Sequence, residues 1–183
     1  AFLQKYRLQP NHEKEHIYAP GEAFDFLGYK CSGSQIGLAD ATVLKMKGKI
    51  SRKSRAICRW RSINGKTPED AMRLLISFFN RKFFESDDPD QLNWTRWFFP
   101  VINDVSGLRV IDRHFQSSIR YVATGKRNGG NYRVRYKDLR SYGYRSLVSE
   151  YFLRLEEKKK NSSIFPDPER RSQSRRTSPR RRV

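Results

Sequence analysis

Residues 24–61 read FDFLGYKCSGSQIGLADATVLKMKGKISRKSRAICRWR. The opening FDFLGYK is an apolar run of the length of a strand, and residues 31–34 supply a turn. Residues 35–38 then offer a return strand. The stretch therefore predicts a small β-hairpin, in which Gly28 marks a bulge or a close approach of the backbone.

The remainder of the stretch has the pattern of one amphipathic helix. Its apolar residues recur at helical spacing, and the positions off this stripe are mostly basic. No acidic residue occurs between Asp40 and Glu69. Like charges on one helix repel unless a polyanion neutralises them, although a merely solvated surface is the alternative. The apolar stripe is Val43, Met46, Ile50, Ile57 and Trp60, and the predicted nucleic-acid-binding residues are Lys45, Lys47, Lys49, Arg52, Lys53, Arg55, Arg59 and Arg61.

The composition sets limits on the function. The chain has 183 residues, of which 37% are apolar, and a net charge of +19. This is enough apolar material for a core, and the charge favours RNA, DNA or an anionic membrane surface as partner. No apolar run reaches about 18 residues and no signal-peptide pattern occurs, so we expect a cytoplasmic setting without a membrane. Cys31 and Cys58 lack metal-ligand spacing, and no metal site is predicted.

Three further helices are predicted downstream. The first begins with Thr67 as N-cap and Pro68, the second ends at Gly125, and the third covers residues 146–157. The aromatic cluster of residues 94–99 is interpreted as core rather than as a base-stacking surface. Residues 158–183 carry ten Lys or Arg and two acids, which predicts a disordered basic tail. The predicted class is α+β, divided into residues 1–39, 40–157 and 158–183. The predicted apolar stripes are Ala71, Leu74, Leu75, Phe78, Phe79 and Phe83 in the first of these helices, and Leu108, Ile111, Phe115, Ile119 and Val122 in the second.

The chain resembles the end of the palm of bacterial reverse transcriptases, the group of group II intron, retron and diversity-generating enzymes. The resemblance depends on Asn11-His12-Glu13-Lys14 followed by Phe24-Asp25-Phe26-Leu27-Gly28-Tyr29. In that family an Asn-x-x-Lys element precedes an FLGY hairpin, the primer grip, and then a basic helical thumb. The resemblance covers the first half of the chain well and the remainder loosely.

The resemblance implies roles for individual residues. Lys14 would contact the incoming nucleotide and its pyrophosphate, although Glu15 stands where the family usually has Thr. Phe26, Leu27, Gly28 and Tyr29 would hold the primer end, and the basic helix would follow the backbone of an RNA template and a DNA primer. Since the chain enters in the middle of this pattern, we expect an upstream palm and fingers segment, on the same or another chain.

The family's catalytic carboxylates do not occur in the sequence. Phosphoryl transfer by two metal ions needs paired carboxylates, which the family presents in a Tyr-x-Asp-Asp turn. The pair Asp87-Asp88 lies instead in an acidic loop. We therefore expect no cofactor in this chain and Mg²⁺ in the complete polymerase, and whether the chain alone is an enzyme stays open.

Two other functions compete with this interpretation. The charge and the interspersed aromatic residues also fit a stand-alone basic RNA-binding or ribonucleoprotein module without catalysis. A weaker alternative is a nuclease that uses Asp104, Asp112, His114 and Glu150. Scattered acids of this kind rarely form a metal site.

Overall fold

A computed structural model of the protein describes residues 5–7, 9, 16–85, 93–127 and 133–164. A three-stranded sheet comes first and the helices follow, which confirms the predicted α+β class. The strands are β1 (Phe24–Phe26), β2 (Tyr29–Ser32) and β3 (Gln35–Leu38). The helices are α1 (Asp40–Ile63), α2 (Pro68–Phe84), α3 (Trp94–Phe98), α4 (Ser106–Thr124), α5 (Tyr136–Ser141) and α6 (Leu147–Ile164).

The sheet is an antiparallel meander in the order β1-β2-β3, not the predicted single hairpin. FDFLGYK is wrong as one strand because Phe26 pairs with Tyr29, which leaves a two-residue turn of Leu27 and Gly28. Both turn residues have positive φ, at 49° and 89°. This is the type I′ geometry whose twist matches that of paired strands. The second turn, at Gly33 and Ser34, lies within the predicted turn.

The Leu27–Gly28 turn is fastened to the start of α1. The Gly28 carbonyl accepts hydrogen bonds from the Ala39 amide at 2.9 Å and from the Thr42 hydroxyl at 3.0 Å. A Cβ on Gly28 would lie 2.8 Å from the Thr42 Oγ1 atom. The close backbone approach predicted at Gly28 is therefore confirmed, and the approaching element is α1.

The stripe predicted for α1 is largely confirmed. Val43, Met46, Ile50 and Ile57 are buried, while Trp60 is half-buried. Ser54 is buried with them, and its hydroxyl donates to the Ile50 carbonyl at 2.8 Å. A helix-internal bond of this kind satisfies a serine hydroxyl within an apolar contact.

The predicted start of α2 is also confirmed. The Thr67 hydroxyl accepts from the Asp70 amide, the Asp70 carboxylate accepts in return from the Thr67 amide, and Pro68 is the first helical residue. The buried face differs from the prediction. Leu74 and Phe78 are exposed, while Met72 and Ile76 face the core. The buried set is Ala71, Met72, Leu75, Ile76, Phe79 and Phe83.

One core joins the sheet to the helices. Helix α4 packs against both α1 and α2, and Phe79, Phe83 and Phe115 meet there ring to ring. Tyr29 and Leu38 of the sheet belong to the same buried cluster. The five apolar residues predicted for α4 are all buried, and Gly125 ends the helix in the left-handed conformation, as predicted.

Helix α6 begins on a carboxylate of α4. Asp112 is buried and accepts hydrogen bonds from the amides of Leu147 and Val148 and from the hydroxyls of Tyr144 and Ser146. The helix then runs to Ile164. It therefore continues past the predicted end at residue 157, so residues 158–164 are helical and not part of a disordered tail. The remainder of the predicted tail, residues 165–183, lies outside the described residues.

Candidate nucleic-acid interface

Helix α1 exposes a row of five cations on the side opposite its buried stripe. They follow one another at i, i+4, i+7, i+10 and i+14, so they share one face. At 1.5 Å per residue the row is about 21 Å long, comparable with about six phosphates of one duplex strand. We call this row the α1 cation face: Lys45, Lys49, Arg52, Arg55 and Arg59.

The other three predicted binding residues of α1 are half-buried and have other contacts. The Lys53 ammonium lies 4.1 Å from the centre of the Phe78 ring. The Arg61 guanidinium donates to the carbonyls of Val122 and Ala123, at 2.6 and 2.7 Å, and so caps the end of α4. Lys47 lines an open groove of about 690 Å³ whose walls come from β2, β3, α1 and the start of α4. These three do not belong to the α1 cation face.

The four predicted primer-grip residues divide into a surface pair and an inner pair. Phe26 and Leu27 are 62% and 64% exposed at the tip of the hairpin. Tyr29 is buried, its hydroxyl donates to the Trp97 carbonyl at 2.6 Å, and its ring meets Phe98 edge-on. Burial raises the pKa of Tyr29. Of the four predicted primer-grip residues, Phe26 and Leu27 are therefore the two whose side chains could contact a ligand.

The hairpin tip and the α1 cation face are connected through Thr42. This residue holds the Gly28 carbonyl and precedes Lys45 by three positions, so the two side chains are neighbours on the helix surface. Thr42 is not among the binding residues predicted from the sequence. Its role depends on a turn at Leu27–Gly28. Because one continuous strand was predicted there, this turn was not expected.

Lys14 and the preceding Asn11 lie outside the described residues, as does the Asp87-Asp88 pair. The roles that the resemblance gives to these positions stay predictions.

The four residues considered for a nuclease site have other partners. Asp112 caps α6, Asp104 accepts from the amide and the hydroxyl of Ser106, and Glu150 pairs with the Arg145 guanidinium. His114 lies 2.9 Å from the Ser51 hydroxyl. Over the described part of the chain, no group of three or more His, Cys, Asp or Glu side chains could hold a metal ion. These residues do not fit the Mg²⁺ ions of a polymerase, and no step through a metal follows from them.

No family model matches the chain, and no curated protein and no solved structure is significantly similar to it. Within the described ranges, every helix is too short or too polar to cross a lipid bilayer.

Proposed function

We propose that this chain is the C-terminal palm edge and thumb of an RNA-directed DNA polymerase, and that the α1 cation face holds the backbone of the template–primer duplex. The observation that carries the proposal is the exposure of five cations in one row, on a helix whose opposite side is packed. Neutralising phosphates releases counterions, which supplies most of the affinity for a duplex irrespective of its sequence.

The hairpin tip supports the same function. Phe26 and Leu27 present two apolar side chains to solvent on a rigid two-residue turn. Aromatic side chains such as Phe26 stack on the faces of nucleic-acid bases. Because Thr42 fastens the turn to α1, the tip and the cation face keep a fixed relation. A primer end held at the tip would therefore keep its register with the duplex held on α1.

The catalytic carboxylates and their Mg²⁺ would come from an upstream palm segment. The test is primer extension by the chain fused to a reverse-transcriptase segment that contains a Tyr-x-Asp-Asp turn. We expect extension of a DNA primer on an RNA template. We also expect the double variant Phe26→Ala/Leu27→Ala to lose extension while it keeps bulk RNA affinity, because the α1 cation face is intact. A folded fusion that extends no primer would contradict the proposal.

A second candidate is the stand-alone RNA-binding module. The observation that favours it is that the α1 cation face is complete without any further segment. This function predicts salt-sensitive RNA binding by the isolated chain with no preference for a recessed primer end. A preference for a recessed DNA 3′ end, lost in the double variant Phe26→Ala/Leu27→Ala, would decide in favour of the polymerase.

A further inference from the structure

A small polar pocket lies between α1 and α4. It is on a different side of α1 from the α1 cation face. Its volume is about 160 Å³. Pockets for drug-sized ligands span roughly 300–1,000 Å³, so this one fits a single chemical group rather than a nucleotide. Small side chains at the helix–helix contact leave this space, and four of them are serines: Ser51, Ser54, Ser117 and Ser118.

The polar residues of the pocket follow helical spacing on both sides. On α4 they are His114, Ser117, Ser118 and Tyr121, at i, i+3, i+4 and i+7, which places them on one face. Ser51 of α1 meets this face, and its hydroxyl oxygen lies 2.9 Å from the His114 Nε2 atom. When His114 is protonated, Nε2–H donates to Ser51, and the Ser51 hydroxyl proton is free to point into the pocket.

The charges around the pocket are positive. The Arg127 guanidinium lies 4.9 Å from the centre of the Tyr121 ring, at the wall of the pocket. No carboxylate is among the described residues that line it. Burial lowers the pKa of His114, the charges of Lys47 on α1 and of Arg127 after α4 lower it further, and a hydrogen bond to the Lys47 backbone partly opposes this. Because the described lining offers hydroxyls and a guanidinium but no carboxylate, an anion is the complementary ligand.

We propose that this pocket binds one tetrahedral oxyanion, namely a phosphate group, between the hydroxyls of Ser51, Ser117 and Ser118, His114 and Arg127, while the Ser54 hydroxyl keeps its bond to the Ile50 carbonyl. A phosphate offers three or more acceptor oxygens, which matches this number of donors better than a carboxylate does. The choice of nucleic acid as the source of the phosphate depends on the function proposed above. The preference of the pocket for an oxyanion does not depend on it.

Binding would be linked to protonation of His114. An anion beside the imidazole favours its charged form, so it raises the pKa of His114 from its lowered value. By reciprocity, the anion binds more tightly as the pH falls through the histidine range. In the pocket lining Ser51 of α1, Tyr121 of α4 and Arg127 surround His114, and Lys47 of α1 acts on it from outside that lining. Among them the imidazole is the group that titrates in that range.

The test is a titration of the full chain with sulfate, followed through the histidine imidazole resonances by NMR. Sulfate keeps its charge over this pH range, whereas phosphate does not. We expect sulfate to raise the pKa of His114 and to bind at least about fivefold more tightly at about pH 5.5 than at about pH 8. The exposed His16 is the control in the same spectra and should respond much less. The exposed Arg127→Gln substitution should weaken the response of His114.

Two oligonucleotides of one sequence identify the source of the phosphate. A response of His114 to both the 5′-phosphorylated and the 5′-hydroxyl form supports a backbone phosphate, and a response to the phosphorylated form alone supports a terminal phosphate. A response to sulfate alone supports the pocket but removes nucleic acid as its ligand. Equal responses of His114 and His16 to every probe, matched to chloride at the same ionic strength, would overturn the proposal. Loss of duplex binding in variants of the α1 cation face tests the proposed function separately.

Discussion

At the scale of single residues, Leu27 is a position within the sheet where the backbone conformation disagrees with the residue type. Its φ of 49° lies in the left-handed region, and its side chain is 64% exposed. A non-glycine residue in this region costs about 1–2 kcal/mol. Type I′ turns prefer Asn-Gly, so Gly28 fits its position and Leu27 does not. A residue that is locally unfavourable and projects into solvent is typical of a functional contact.

The substitution Leu27→Asn should therefore separate stability from function. We expect it to raise the free energy of unfolding by about 1 kcal/mol, because asparagine tolerates the left-handed region. In the fused polymerase the same variant should extend primers less well, since the apolar tip is lost. Chemical denaturation of the full chain and primer extension by the fusion measure the two effects.

Leu44→Asn is the matched control. Leu44 is also 64% exposed, but it lies in α1. There asparagine is a poorer helix former than leucine and should lower the free energy of unfolding by about 0.5 kcal/mol. If Leu27→Asn destabilised the chain as much as Leu44→Asn does, the assignment of strain to the turn would be contradicted.

At the scale of elements, two helical glycines differ in the space around them. Gly107 is crowded by buried side chains, and Gly48 is not. A Cβ on Gly107 of α4 would lie 2.9 Å from the Leu38 Cβ atom and 3.2 Å from the Val43 Cγ2 atom. Both neighbours are buried, so α4 approaches β3 and α1 this closely only with glycine. A Cβ on Gly48 of α1 would meet only the end of the Arg52 side chain, at 3.5 Å.

We expect Gly48→Ala and Gly107→Ala to change stability in opposite directions. Alanine at position 48 should raise the free energy of unfolding by about 1 kcal/mol through helix propensity. At position 107 overpacking costs roughly 1–3 kcal/mol, which exceeds the gain in helix propensity. Gly107→Ala should therefore lower the free energy of unfolding. Thermal and urea unfolding of both variants would measure this. Equal stabilisation by both substitutions would mean that the close contact of α4 with β3 is not as described.

The elements also show what the sequence could predict. The start of α2 and the end of α4 follow from local chemistry, a Thr-Pro cap and a C-terminal glycine, and both predictions are confirmed. The turn at Leu27–Gly28 was missed because leucine in the left-handed region contradicts local preference. The end of α6 was missed because a run of lysines resembles a tail, although a helix fastened at Asp112 can continue through it.

For the binding surface, the sequence predicted the cations but not their directions. Eight basic residues of α1 lie off the predicted stripe, yet Lys47, Lys53 and Arg61 are half-buried. The positions of Lys53 and Arg61 depend on Phe78 of α2 and on the end of α4, which are distant in sequence. The pocket at His114 was missed for the same reason, since it requires two helices to meet. A histidine followed by serines at helical spacing was its one visible signal.

At the scale of the whole molecule, the sequence has a net charge of +19, and part of this charge lies on one exposed helix face. The α1 cation face concentrates five positive charges within about 21 Å. The described carboxylates near the core are already engaged, as Asp112 is in holding α6. This distribution is consistent with the proposed function. The chain would hold the duplex and its primer end, and another segment would supply the catalytic metal site.

The most direct test of this account is the salt dependence of binding to an RNA–DNA heteroduplex with a recessed DNA 3′ end. The wild type is compared with the triple variant Lys49→Gln/Arg52→Gln/Arg55→Gln and with Lys53→Gln, a control that removes a charge of the same helix from its place over Phe78. The slope of log K against log salt is negative, and we predict that the triple variant reduces its magnitude by about three, while Lys53→Gln leaves it unchanged. A triple variant that folds normally and retains the wild-type slope would contradict the account.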